Sequence, residues 1–146
     1  MAATGEKPMA VDRLGPYALG QAKDALDSLL RLVRANDLLP DDKIRPGAAL
    51  DGEPSLGKTT LLRLVGVRYH REMRDLYGSG DELADYLPVC HVGMPKGVNT
   101  KGLSTRLCKF YGLPVRDRES NETITERLVN VMGECGTSLI LIDDVH

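Results

Sequence analysis

The 146-residue chain has no tryptophan, one phenylalanine and an aromatic content of 4%. An aromatic platform for stacking the bases of a single strand is therefore excluded. Charge of one sign is also lacking: 19 Lys and Arg against 21 Asp and Glu leave a net −2, so a globally basic surface is not its device. The three cysteines, Cys90, Cys108 and Cys135, are odd in number and far apart. That spacing suits neither a disulfide framework nor a zinc cluster, and it reads as free thiols in a reducing cytoplasm. No apolar run approaches the roughly 18 residues that a bilayer requires, and no hydrophobic signal core opens the chain. A cytoplasmic protein with no membrane partner is the expectation.

What is present is a folded chain, 42% hydrophobic and of single-domain length. Residues 1–17 read as a loosely ordered lead-in. Leu19, Ala22, Leu26, Leu29, Leu30 and Val33 recur at helical spacing and predict a helix over 18–35. Ala48-Ala49-Leu50 predicts a weak strand. A helix is expected from Lys58 to Tyr77, closed by Gly78-Ser79-Gly80, and a strand over 89–94. Asn99 or Thr100 starts a further helix reaching about Tyr111 and ended by Gly112-Leu113-Pro114. Ser120 or Asn121 starts another, stopped by Gly133 and Gly136. Residues 138–142 form a continuous apolar run ending in Asp143-Asp144, the pattern of a buried parallel strand. Strands alternating with helices predict an α/β layered fold.

Two segments carry chemistry. Gly52, Glu53, Pro54, Ser55, Leu56, Gly57, Lys58 and Thr59 match G-x-x-x-x-G-K-[ST] between a predicted strand and a predicted helix. Such a loop lets successive N–H groups converge on phosphate oxygens, and the helix N-terminus adds the positive end of its dipole. Gly57 allows close approach, Lys58 reaches the β- and γ-phosphates, and the Thr59 hydroxyl ligates Mg²⁺, with Thr60 beside it. About 85 residues later, Asp143 stands at a strand tip, where ligands bind in open α/β sheets. There it suits Mg²⁺, and Asp144 suits orienting or deprotonating a water.

These are the Walker A and Walker B motifs of a P-loop NTPase. The finer pattern resembles the AAA+ ATPases of bacterial transposition, the TniB family, related to TnsC and IstB. GEPSLGKTTLLRL, PVCHVGMPKGVNTKGLSTRLCKFYGLP and LILIDDVH carry the resemblance, which covers roughly residues 18–146. It implies a three-layer AAA+ sandwich with a parallel sheet and the cofactors ATP and Mg²⁺. It also implies Lys58 and Asp144 as catalytic residues, residues 52–60 as the nucleotide cradle, and Thr59 and Asp143 at the metal. The implied partners are a transposase, double-stranded DNA bound without sequence preference, and further copies of the chain.

The sequence departs from the family at three places. Ser55 stands where many relatives have Gly or Asn. Asp144 is one methylene shorter than the usual Glu. Past His146 the family continues with a sensor strand, lying between the loop strand and the Walker B strand, then an arginine finger and a lid. A truncated, non-hydrolysing nucleotide-binding or interaction remnant is thus one alternative expectation, and a signalling ATPase of the NACHT or STAND type another.

Charge is uneven. Residues 94–118 carry Lys96, Lys101, Arg106, Lys109, Arg116 and Arg118 against Asp117 alone, a local +5. Residues 58–80 carry five cations against two acids, a local +3. These segments either face solvent or lie along DNA phosphates. His70 reads as solvated, His91 as half-buried within a strand, Cys108 as core, and His146 as a flexible terminus.

Overall fold

The computed structural model describes residues 16–51, 57–77 and 85–145. It divides into two compact units, residues 1–67 and 68–146, with the boundary inside the second helix.

In the first unit, α1 spans Pro16–Asp37. Its start precedes the apolar stripe by two residues, because proline's fixed φ is compatible with a first helical turn. Leu26 and Leu30 are buried while Asp24, Asp27 and Arg31 are exposed, the amphipathic pattern expected. One side chain gathers a carbonyl of its last turn and one just beyond it. Arg45 donates from Nε to the Asn36 carbonyl at 3.2 Å and from Nη2 to that of Leu39 at 3.0 Å. Asn36 Nδ2 in turn donates to the Pro46 carbonyl at 2.9 Å. These bonds fold residues 38–46 back on the helix end, satisfying groups the helix itself leaves unpaired.

The predicted strand at Ala48-Ala49-Leu50 is a correction: this stretch has no regular structure. Two alanines and a leucine offer little β-branched surface, and no described strand supplies a ladder partner.

α2 spans Lys58–Tyr77, as the periodicity predicts. Leu61, Val65, Tyr69 and Met73, spaced by four, are all buried. The predicted closure at residues 78–80 lies outside the described residues, as does most of the lead-in.

The second unit holds the sheet. β1 (Val89–Pro95) and β2 (Leu139–Val145) pair in parallel with Val89 opposite Leu139 and Gly93 opposite Asp143. Between them run α3 (Thr100–Phe110) and α4 (Asn121–Cys135), the helical crossover that a parallel pair requires. Helices around a parallel sheet are an α/β arrangement, and two strands are present among the described residues.

Asn99 caps α3, its side chain accepting from the Gly102 N–H at 2.8 Å. Ser120 caps α4 by accepting from the Thr123 N–H at 3.2 Å. Gly112 ends α3 in the left-handed region, φ 71°, with the Leu113 N–H reaching back to the Cys108 carbonyl at 2.9 Å. Gly136 ends α4 the same way, with the Thr137 N–H on the Met132 carbonyl. Gly133, a predicted stop, lies inside α4 instead.

α3 packs on β1 and α4 on α3, and the shared core is Cys90, Val92, Leu107, Cys108, Ile124 and Leu128. Register partners in a sheet share a face, so Ile140 and Ile142 lie on the same side as Cys90 and Val92. The helices sit over β1, however, and leave Ile140 40% and Ile142 47% exposed. Across the crossover, Arg127 clamps residues 114–119, donating to the Pro114 carbonyl at 2.7 Å and to Glu119 Oε2 at 2.6 Å.

Two expectations follow. Ile124→Ala, at a fully buried site, should destabilise the chain by about 2–5 kcal/mol, whereas Val129→Ala, 61% exposed, should cost under about 0.5 kcal/mol, read by urea denaturation. The Arg127 bond holds the Glu119 carboxyl below its ordinary range. A depressed carboxylate contributes stability above its unfolded pKa, near 4.5, that is lost as pH falls through the folded value. Glu119→Gln should therefore flatten the fall in melting temperature below pH 4.5.

Candidate nucleotide site

Each part of the predicted site sits in its own unit. In the first, Gly57 has φ 72°, a left-handed conformation that costs glycine nothing. Its carbonyl accepts from the Leu61 N–H at 2.9 Å, the first bond of α2, so the glycine delivers the chain directly into the helix. Lys58 is the first helical residue, half-buried; Thr59 is exposed and Thr60 half-buried. The N–H groups of a first turn, here those of Thr59 and Thr60, find no carbonyl within the helix and carry the positive end of its dipole. That donor set fits an anionic oxygen. Gly52, Glu53, Pro54, Ser55 and Leu56 lie outside the described residues.

In the second unit, β2 continues through the two acidic residues to Val145 rather than stopping at Ile142, because Gly93, Met94 and Pro95 extend the ladder opposite Asp143, Asp144 and Val145. Successive strand side chains leave on opposite faces. Asp143, half-buried, therefore departs on the side of His91 and Leu141, and Asp144, exposed, on the side of Ile140 and Ile142. The register partner of Asp143 is Gly93, so no side chain stands directly opposite it on β1. This glycine partner was not singled out by motif reasoning; only strand register shows it.

Among the described residues, no three of His, Cys, Asp and Glu gather closely enough to enclose a metal ion. A divalent ion at Asp143 would thus be held by one carboxylate, with its other oxygens from water and phosphate, the manner in which Mg²⁺ is usually bound. The donor set fits that ion and no closed cage.

The strand is anchored from below by a hydroxyl chain. Thr137 Oγ1 donates to the Leu87 carbonyl at 2.7 Å, leaving the Tyr111 hydroxyl to donate to Thr137 at 2.6 Å. Burial pushes the Tyr111 phenol up to about 12. Tyr69, buried in α2, meets Ser138 Oγ at 2.7 Å, one residue before β2 begins.

His70 is half-buried rather than solvated, and burial together with Arg74 lowers its pKa. His91 is half-buried on β1 and Cys108 lies in the core. His146 lies outside the described residues.

Residues 9–146 match the family described as Bacterial TniB protein. The chain belongs to the TniB family. No curated protein and no solved structure gives a significant match. Membership of TniB supports a transposition-associated, ATPase-like role of the P-loop class, and the match extends across both acidic and glycine-rich segments. No helix among the described residues of this TniB protein is long and apolar enough to cross a membrane.

Gly57→Ala should lower unfolding stability by about 1 kcal/mol, because alanine is strained at that φ. Gly20→Ala, in the interior of α1 with open space around it, should raise stability by about 0.5–1 kcal/mol. Paired urea titrations of the two variants should therefore give stability changes of opposite sign.

Proposed function

We propose that this TniB protein is the nucleotide-responsive component of a transposition machinery: a cytoplasmic protein that binds ATP·Mg²⁺, assembles as copies of itself on double-stranded DNA and engages a transposase. The observation that carries the reading is the family match over residues 9–146, within which Gly57-Lys58-Thr59 opens a 20-residue helix.

In this reading the residues divide the work by their chemistry. The loop of residues 52–57 and the N–H groups of Thr59 and Thr60 receive phosphate oxygens. Lys58 neutralises charge on the β- and γ-phosphates, and the Thr59 hydroxyl and Asp143 hold the metal. Bound ATP·Mg²⁺ supplies a phosphoryl group electrophilic enough for water to attack. Asp144 orients that water and accepts its proton. The basic segment 94–118 faces duplex phosphates; contacts of that kind are independent of sequence and weaken with salt.

Asp144 favours a second reading, nucleotide binding without turnover. Its carboxylate is one methylene shorter than glutamate, and a displacement of about 1 Å costs roughly a hundredfold in rate. Binding and phosphate release separate the two readings.

In ATP titrations with and without Mg²⁺, the wild type should saturate. Lys58→Ala should weaken binding at least about tenfold, the equivalent of 1.4 kcal/mol. Asp143→Asn should abolish the Mg²⁺-dependent increment alone. A folded Lys58→Ala variant binding as well as wild type would sink the nucleotide reading. Phosphate release by wild type that is lost in Asp144→Asn supports hydrolysis; saturable binding without release supports the second reading.

A further inference from the structure

One polar contact joins the basic face of α3 to the strand beside Asp143. Arg106 Nη1 donates to the Gly93 carbonyl at 3.1 Å, and its side chain is exposed. In a parallel pair, alternate residues of a strand turn their carbonyls toward the same neighbour. The Pro88 carbonyl accepts from the Ser138 and Leu139 N–H groups of the β2 side, so the carbonyl of Gly93, five residues on, points to the outer edge of β1. Arg106 thus caps that edge at the rung whose other member is Asp143.

The other cations nearby are differently employed. Lys101 Nζ donates to the Asp117 carbonyl at 2.9 Å, and Arg127 is spent on Pro114 and Glu119. A guanidinium carries five N–H donors in a planar fork. Among the described residues, Arg106 places one of them, on Gly93. Lys109, one turn further along α3, is exposed on the same face.

We propose that Arg106 is a positioning residue that bridges a duplex phosphate to the Gly93–Asp143 rung: one N–H stays on the Gly93 carbonyl while the rest of the fork takes the phosphate. The inference rests on the DNA reading and on Asp143 as the metal-side carboxylate. A phosphate that fixes Arg106 also fixes the strand segment beside Asp143. The two ligands then favour one another, and by linkage each raises the other's affinity by the same factor. Lysine cannot replace the arginine, because a compact ammonium lacks the planar fork that spans carbonyl and phosphate together.

The experiment uses the whole chain and a fluorescein-labelled 20-base-pair duplex, read by anisotropy with and without Mg²⁺ and a slowly hydrolysed ATP analogue. For wild type, the analogue should tighten duplex binding about fivefold or more, and duplex should tighten analogue binding equally. Arg106→Lys keeps the charge and should still bind duplex at low salt, with that ratio reduced to near one. Lys109→Gln should weaken the duplex while keeping the ratio. An Arg106→Lys variant with the wild-type ratio overturns the bridge. So does wild-type duplex binding indifferent to nucleotide, which leaves the DNA reading standing. Absence of duplex binding by wild type overturns the DNA reading and the bridge with it. Polyglutamate competing as well as duplex overturns the phosphate assignment. A drop of more than a few degrees in the melting temperature of Arg106→Lys would make the contact a structural clamp and likewise overturn the proposal.

Discussion

The second unit depends on the parallel pairing of β1 with β2. Parallel strands cannot be joined by a tight turn, so the chain must cross the sheet through helices before it can return. That requirement accounts for the whole of residues 96–138: two helices, each with an asparagine or serine at its start and a left-handed glycine at its end. The caps decide where each helix stops, and the stops decide the register. Gly136 places Thr137 against Leu87, and one residue later Ser138 begins pairing with Pro88. A slip of one residue would exchange the faces of Asp143 and Asp144 and bring Met94 beside the first carboxylate in place of Gly93.

Most of this was legible in the sequence because each signal was local. Asn99, Ser120, Gly112 and Gly136 announce helix ends through chemistry that acts within a few residues. The apolar run at residues 139–142 announces a strand by composition alone. Where reading failed, the deciding interaction was distant. Ala48-Ala49-Leu50 has too little propensity to be a strand without a partner, and partnership is a property of the sheet. The continuation of β2 through Asp143 and Asp144 runs against the low strand propensity of aspartate and follows from the rungs supplied by Gly93 and Met94.

The candidate site divides in the same way. Lys58 and Thr59 were singled out from spacing, and α2 begins at Lys58, where the periodicity puts its start. The pairing of Gly93 with Asp143 was not legible, because glycine at position 93 carries no meaning until its cross-strand neighbour is known. Nor was the contact of Arg106 with the Gly93 carbonyl, which joins residues 13 apart from different elements. In the sequence, Arg106 is one of six cations in a basic stretch; in the fold it is tied to the strand that flanks the acidic rung.

That distinction bears on how charge should be read in such a chain. Solvated cations on a helix face contribute little to stability, since water screens them and long side chains lose entropy when held. A cation whose position is set by a backbone carbonyl has already lost part of that freedom, so less remains to be lost when an anion arrives. Arg106 meets this condition through Gly93, whereas the charge of Arg127 is already met by the Glu119 carboxylate. Net charge of a segment therefore says where an anion is attracted, and the hydrogen bonds already made say which side chain is prepared to hold it.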